Sequence, residues 1–240
     1  MELVIECSFR LTTGSFDHHD QIRPYAVLDL FQEVAGTHAE ILNIGFQALY
    51  NQDIIWVLAR NKYIVERAIP VSSNIKVKTW PHPNGRFDFI RDYEIYDEQG
   101  NLCIRGTSKW CLVNYKKMRI VPTTYAKIEG DFYHHEAIPG PVDKIPYEKD
   151  ESFKLVDTHI VQVSDLDHNG HMNNAKYAEL LINVLNLKKE EEIISVEFDY
   201  LEQLFLHDKI VLCLKRDEKE AILIGEKDHK ACFVSRCKWK

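Results

Sequence analysis

The densest run of reactive side chains is Ser164-Asp165-Leu166-Asp167-His168-Asn169-Gly170-His171-Met172-Asn173-Asn174. Within it a carboxylate, an amide and an imidazole fall at every second position: Asp167, Asn169 and His171. In an extended stretch, alternate side chains point the same way. Such a trio could hold a water or a carbonyl, move a proton and steady a developing oxyanion. Gly170 permits a tight backbone path. Two other readings stay open on spacing alone. Asp, Asn, Gly and His crowd turns for backbone reasons, so the run could be an elaborate helix cap. His168 and His171 could ligate a metal, but too few further ligands are evident, and no metal is expected.

These groups need elements to position them. Downstream, Ala175, Ala178, Leu181, Ile182 and Leu185 recur at helical spacing, which predicts a helix with Asn173 as its cap. The first turns of that helix would offer N–H groups and a positive dipole end to an oxyanion. The same arrangement is written earlier in the chain. Residues 16–31 match residues 166–181 at an offset of 150, pairing Phe16 with Leu166, Asp17 with Asp167, His18 with His168, Ile22 with Met172 and Leu30 with Leu180. This first copy also opens a helix, with Pro24 in its first turn and Val27, Leu30, Phe31, Val34, His38 and Ile41 on its apolar face. It carries His19 and Gln21 where the second copy carries Asn169 and His171. The fold element is kept and the polar set is not, as expected for one working site and one site put to another use.

After each helix the pattern predicts strands and no further helix. They cover residues 54–65, 74–80, 87–95 and 102–114 in the first half, and 193–200, 209–216, 221–226 and 231–238 in the second. In 87–95, Phe87, Phe89, Tyr93 and Ile95 alternate with acids, which predicts a half-buried strand. Residues 129–152 contain Pro139, Gly140, Pro141 and Pro146, show no periodicity and read as a linker. The expected fold class is α+β: an antiparallel sheet wrapped around one central helix, written twice, as domains 1–128 and 153–240.

Composition fits this reading. The 240 residues are 45% hydrophobic and 28% charged, which excludes disorder, collagen and coiled coil. The longest apolar run, Ile54-Ile55-Trp56-Val57-Leu58-Ala59, is far short of the ~20 residues a membrane helix needs. The first residues, Met1-Glu2-Leu3-Val4-Ile5-Glu6, carry acids and no basic region, so no targeting segment is expected. Six cysteines without C-x-x-C spacing read as core thiols in a reducing cytoplasm. The net charge of −7 lies entirely in the second part of the chain, because residues 1–125 hold fourteen bases and fourteen acids. Tracking nucleic acid by bulk electrostatics is excluded. Lys116-Lys117-Met118-Arg119 is the best local basic patch, either a charged hairpin tip or a docking surface.

The segment from Asp165 to Asn174 resembles the active-site signature of acyl-acyl carrier protein thioesterases, a family with two tandem hot-dog domains. In the first half, Asn43-Ile44-Gly45-Phe46, Trp56-Val57-Leu58-Ala59-Arg60, Thr79-Trp80, Gly85-Arg86-Phe87 and Ser108-Lys109-Trp110 fall in the family's order. The resemblance covers nearly the whole chain and implies hydrolysis of an acyl-carrier thioester to free fatty acid and holo-carrier protein, ending fatty acid synthesis, without a cofactor. It implies that Asp167, Asn169 and His171 are catalytic. Glu202 looks like the family's downstream glutamate, and Gln203 stands where plant members carry a cysteine. Trp56 resembles a residue of the acyl-chain pocket, which the first domain would supply; an ordinary core tryptophan is the alternative. The plant enzymes' N-terminal segments are absent, so the chain looks like the shorter bacterial type. Partners implied are the acyl carrier protein, docked through Lys109, Lys116, Lys117 and Arg119, and the fatty acyl chain. A homodimer stays open. Rival readings are an acyl-CoA thioesterase, an acyl sensor and a hot-dog dehydratase.

Overall fold

The computed structural model describes residues 3–240. Its contacts divide the chain into two units: residues up to Ile22 with Asp29–Val142, and Arg23–Leu28 with Asp143–Lys240. The first unit holds β1 (Ile5–Arg10), most of α1 (Pro24–Ile41), α2 (Phe46–Tyr50), β2 (Ile54–Val65), β3 (Asn74–Pro81), β4 (Phe89–Tyr96), β5 (Leu102–Asn114) and β6 (Arg119–Val121). The second holds β7 (Lys154–Ile160), α3 (Lys176–Leu185), β8 (Ile193–Tyr200), β9 (Lys209–Arg216), β10 (Glu220–Lys227) and β11 (Lys230–Trp239). In the first unit the strands lie in the order β1-β3-β4-β5-β2, with β6 on β5; in the second the order is β7-β9-β10-β11-β8. Strand for strand these are the same antiparallel sheet, and the hot-dog expectation holds in both units.

Each helix packs on its sheet through aromatic rings. Phe31 of α1 stacks on Tyr93 of β4 at 4.2 Å. It also lies so close to Gly106 of β5 that an added Cβ would sit 2.2 Å from the ring, so glycine is what lets helix and strand approach. Tyr177 of α3 meets Tyr200 of β8 and Phe233 of β11 edge-on at 5.3 and 5.0 Å.

Four features differ from the sequence reading. Ile41 is 59% exposed, because the apolar stripe of α1 ends at His38 and Ala39, one turn before the helix does. A short helix, α2, follows the first helix where none was expected. Helix α3 begins at Lys176 rather than directly after Asn173; the Asn173 side chain instead accepts the Ala175 N–H at 2.8 Å, capping the turn that precedes the helix.

The fourth concerns β4, which is not half-buried. Phe87 lies before it and is 41% exposed, while Arg91, Asp92 and Glu94 are buried. The cause is the proline-rich segment after Glu129, whose backbone is held by strand side chains. Asp92 accepts the Ala137 N–H at 2.7 Å, Arg105 donates to the Ala137 carbonyl at 3.0 Å, Trp80 donates to the His135 carbonyl at 2.8 Å, and Arg60 donates to the Val142 carbonyl at 2.8 Å. His135 Nε2 lies 3.0 Å from Glu94. Further on, within the second unit, Asp199 accepts the Ile145 N–H at 2.9 Å. The segment has no periodicity because side chains, not a ladder, satisfy its backbone.

Two histidines, His38 buried and His82 partly so, give the first unit opposite pH dependences. Burial, reinforced by Arg91 at 3.0 Å, pushes His38 down to about 4. Its unfolded form takes a proton near ~6.5, so the stability from neutral His38 is full above that pH and falls toward pH 4. The hydrogen bond that His82 donates to Asp92, 3.0 Å away, raises His82; its contribution is full below ~6.5 and is lost as pH rises through the folded value. Urea midpoints measured against pH should therefore peak near neutrality, with His38→Gln flattening the acid side and His82→Gln the other. Asp92→Ala leaves the Ala137 N–H and His82 without their shared acceptor and should cost about 2–4 kcal/mol of unfolding free energy. Midpoints of these variants that track wild type at every pH would contradict both assignments.

Candidate active site

The loop before α3 is built from its base upward. Asp165 is buried, accepts the Gln162 N–H at 2.9 Å and lies 2.8 Å from His159 Nε2. Its carbonyl accepts the Asn173 N–H at 2.8 Å, which closes the loop. Inside it, Leu166 and Met172 form an antiparallel bridge, and the Asp167 N–H donates to the His171 carbonyl at 2.8 Å. The Asp167 carboxylate then binds the turn it belongs to. Oδ1 accepts the Asn169 N–H at 2.8 Å and the His171 N–H at 3.2 Å. Gly170 stands at φ +78°, and nothing lies within 4 Å of where its Cβ would be, so glycine is required there for conformation and not for space. The Asn169 side-chain amide lies 3.5 Å from Asp167 Oδ2, leaving its second N–H to point elsewhere.

The first copy makes the same turn. Asp17 accepts the N–H groups of His19 and Gln21 at 2.8 and 3.0 Å, its own N–H donates to the Gln21 carbonyl at 2.9 Å, and Phe16 bridges Ile22. Asp20 takes the glycine position at φ +63°. The aspartate is therefore a backbone organiser in both copies, whatever else Asp167 does. The order of amide and imidazole distinguishes the second copy: Asn169 and His171 stand where the first has His19 and Gln21.

Glu202 is brought to this turn by the chain between β8 and β9. Its N–H and that of Leu201 both donate to the Cys232 carbonyl on β11, at 3.0 and 2.9 Å. Two residues later, the Leu204 carbonyl accepts the Met172 N–H at 2.8 Å, and Phe205 forms a bridge with His171. The Phe205 ring meets the His171 ring edge-on at 4.9 Å. Glu202 and the Asp167–His171 turn are thus joined by backbone bonds rather than by side-chain contact. The Glu202 side chain is 48% exposed and has Lys227 Nζ 3.7 Å away. Beneath lies Tyr177, whose phenol is pushed far up by burial, with Cys232, Asp208, Asp167 and Glu202 adding to it; it stays protonated. Tyr200 donates to the Asn174 carbonyl at 3.1 Å and fixes the approach to α3.

The N–H groups expected to hold an oxyanion are partly engaged: those of Ala175 and Lys176 bind Asn173. Lys227, Phe205 and Tyr200 escaped the sequence reading. Phe205, three residues after Glu202, is an exposed aromatic that no strand alternation explains, and that signal could have flagged it. Among the described residues no three His, Cys, Asp or Glu side chains are gathered as a metal would need.

Trp56 lies in the first unit. Its Nε1 donates to the Ile44 carbonyl at 2.8 Å, and its ring meets Phe89 edge-on at 4.7 Å within a cluster that includes Leu49, Ile54 and Leu112. A separate groove of about 370 Å³ is lined by Ala59, Phe87, Lys109, Trp110 and Ile120 among others, and not by Trp56.

Known proteins match this arrangement. The profile of the acyl-ACP thioesterase N-terminal domain matches residues 2–129, and that of the acyl-ACP thioesterase C-terminal domain matches residues 147–231. The chain is 28% identical over 193 residues to a chloroplastic acyl-[acyl-carrier-protein] hydrolase of Cuphea viscosissima, covering 72% of this chain and 45% of the plant protein. It is 29% identical over 194 residues to a chloroplastic palmitoyl-acyl carrier protein thioesterase of Cuphea hookeriana, again covering 72% and 45%. The chain thus spans about half the length of the curated relatives it matches. Two solved structures share the fold over 99% of this chain at 19% identity: an acyl-ACP thioesterase from Bacteroides thetaiotaomicron (TM-score 0.83, 98% of that chain) and the 12:0-ACP thioesterase from Umbellularia californica (TM-score 0.87, 97%). With both family profiles together covering most of its length, the chain belongs to the acyl-ACP thioesterase family.

Proposed function

We propose that the chain hydrolyses acyl-acyl carrier protein to free fatty acid and holo-carrier protein. The observation that supports this reading is the backbone junction that bonds the loop two residues after Glu202 to the end of the Asp167–Asn169–His171 turn, through Leu204 with Met172 and Phe205 with His171. Glu202 takes a proton from water, which adds to the thioester carbonyl. The Asn169 amide, with an N–H to spare, steadies the oxyanion. Collapse breaks the C–S bond, and the proton that Glu202 took is handed on through His171 to the leaving thiolate, so both groups end as they began. Asp167 organises the turn, since its Oδ1 already holds two N–H groups and Asp17 does the same where no catalytic set exists. Gln203, where plant members carry a cysteine, supplies no thiol nucleophile.

The first domain would enclose the acyl chain, with Trp56 at its wall. The carrier would dock on the tip between β5 and β6. There Lys116 pairs with Asp53, and Lys109 on β5 pairs with Asp88, which leaves Lys117 and Arg119 to meet an acidic partner beside Met118 and Ile120, 74% and 56% exposed. Among the described residues no helix is long and apolar enough to cross a membrane. The six free thiols, four of them buried, suit a reducing cytoplasm, where the reaction would end fatty acid synthesis.

Thiol release from a panel of acyl-carrier proteins and the matching acyl-CoAs tests the reaction. Fast release from the carrier substrates, lost in His171→Ala, is the expected result; intact thioesters with tight acyl binding would make the protein a sensor, and preference for the CoA panel would reassign the carrier. Glu202→Gln should lower kcat by about 10²–10³. Asp167→Asn keeps an oxygen for the two N–H groups and should lose only about tenfold; a loss beyond about 10³ would make Asp167 the nucleophile. Lys117→Glu with Arg119→Glu should raise KM for the carrier substrate severalfold at low salt and leave a small thioester unaffected. An unchanged KM would move the docking surface elsewhere.

A further inference from the structure

The structure assigns Lys227 a positioning role: it holds the Glu202 carboxylate and the Phe205–His171 ring pair in one arrangement. This rests on Glu202 being the base. Lys227 is the last residue of β10, before a tight turn in which Asp228 and His229 stand at φ +50° and +63°. Its Nζ donates to Asp208 Oδ2 at 2.8 Å, lies 3.7 Å from Glu202 Oε1 and sits 6.0 Å over the Phe205 ring. The same Asp208 oxygen accepts the Phe205 N–H at 2.8 Å. One carboxylate therefore ties the cation to the backbone of the residue whose ring meets His171 at 4.9 Å.

Backbone bonds fix the chain on either side of Glu202, but its half-exposed side chain is free to swing unless something restrains it. Lys227 is placed to do so. The charged groups that act on Lys227 are acidic: Asp208 from the loop before β9, Glu202 itself and Asp228 from the hairpin. Lys227 supplies the positive charge among them. Without it, the half-exposed Glu202 carboxylate loses the cation 3.7 Å away that limits its swing.

Lys227→Met should lower kcat about tenfold with KM within about twofold, because a base that swings out of place slows the chemical step and leaves substrate binding intact. Lys227→Arg keeps the charge and should stay within about threefold of wild type. Lys227→Gln serves as the second neutral variant, with thermal melts confirming that the compared proteins are folded. In a Glu202→Gln background, Lys227→Met should lower kcat clearly less than it does in the wild type, the remainder coming from its hold on the Phe205–His171 pair. An unchanged kcat in both neutral variants, or an equal kcat loss with and without Glu202, would overturn the role of Lys227. Full activity in Glu202→Gln alone would instead overturn the assignment of the base.

Discussion

A carboxylate oxygen on a backbone N–H recurs at several places where this chain leaves regular structure. Asp17 and Asp167 close the two equivalent turns, Asp92 and Asp199 hold the segment after Glu129, and Asp208 fixes the loop that carries Phe205. Each bond satisfies a donor that no helix or ladder reaches, and each is charge-assisted, so it is shorter and stronger than an amide–carbonyl bond. The sheets set where strands lie. These carboxylates decide where the intervening chain runs, and the reactive groups sit on that intervening chain.

Seen this way, the two units show how a site is added to a fold. The turn closed by Asp17 has the same bonds as the one closed by Asp167, so the scaffold exists without the chemistry. What the second copy adds is Asn169 and His171 on the turn, and a neighbouring loop bonded to it through Met172 and Leu204. Gly170 replaces the strained Asp20, relaxing the one residue that must adopt a positive φ.

Much of this was legible in the sequence. The strands over 54–65, 102–114, 193–200 and 209–216 begin and end where runs of apolar and β-branched residues between turn residues place them. The offset of 150 between the copies was visible through Asp17 and Asp167, whose spacing to their partner amides is fixed by the turn. The burial of β4 was not visible. Its acids look solvated on the usual rule, and only the fold brings Ala137 and His135 over them. Lys227 was equally hidden: it lies 25 positions from Glu202 in sequence, and β10 and β8 are separated by β11.

The inward-turned acids also bear on how an acidic protein meets an acidic partner. Six carboxylates among the described residues are buried (Asp92, Glu94, Asp97, Asp165, Glu197 and Asp199), against one buried base, Arg91. The solvent-facing acids and bases are therefore far closer to balance than the net −7 of the sequence suggests. Within a screening length of about 8 Å, an approaching molecule responds to the groups it can reach and not to the chain's total. A hairpin tip with a few cations is then enough to set the sign of the local field.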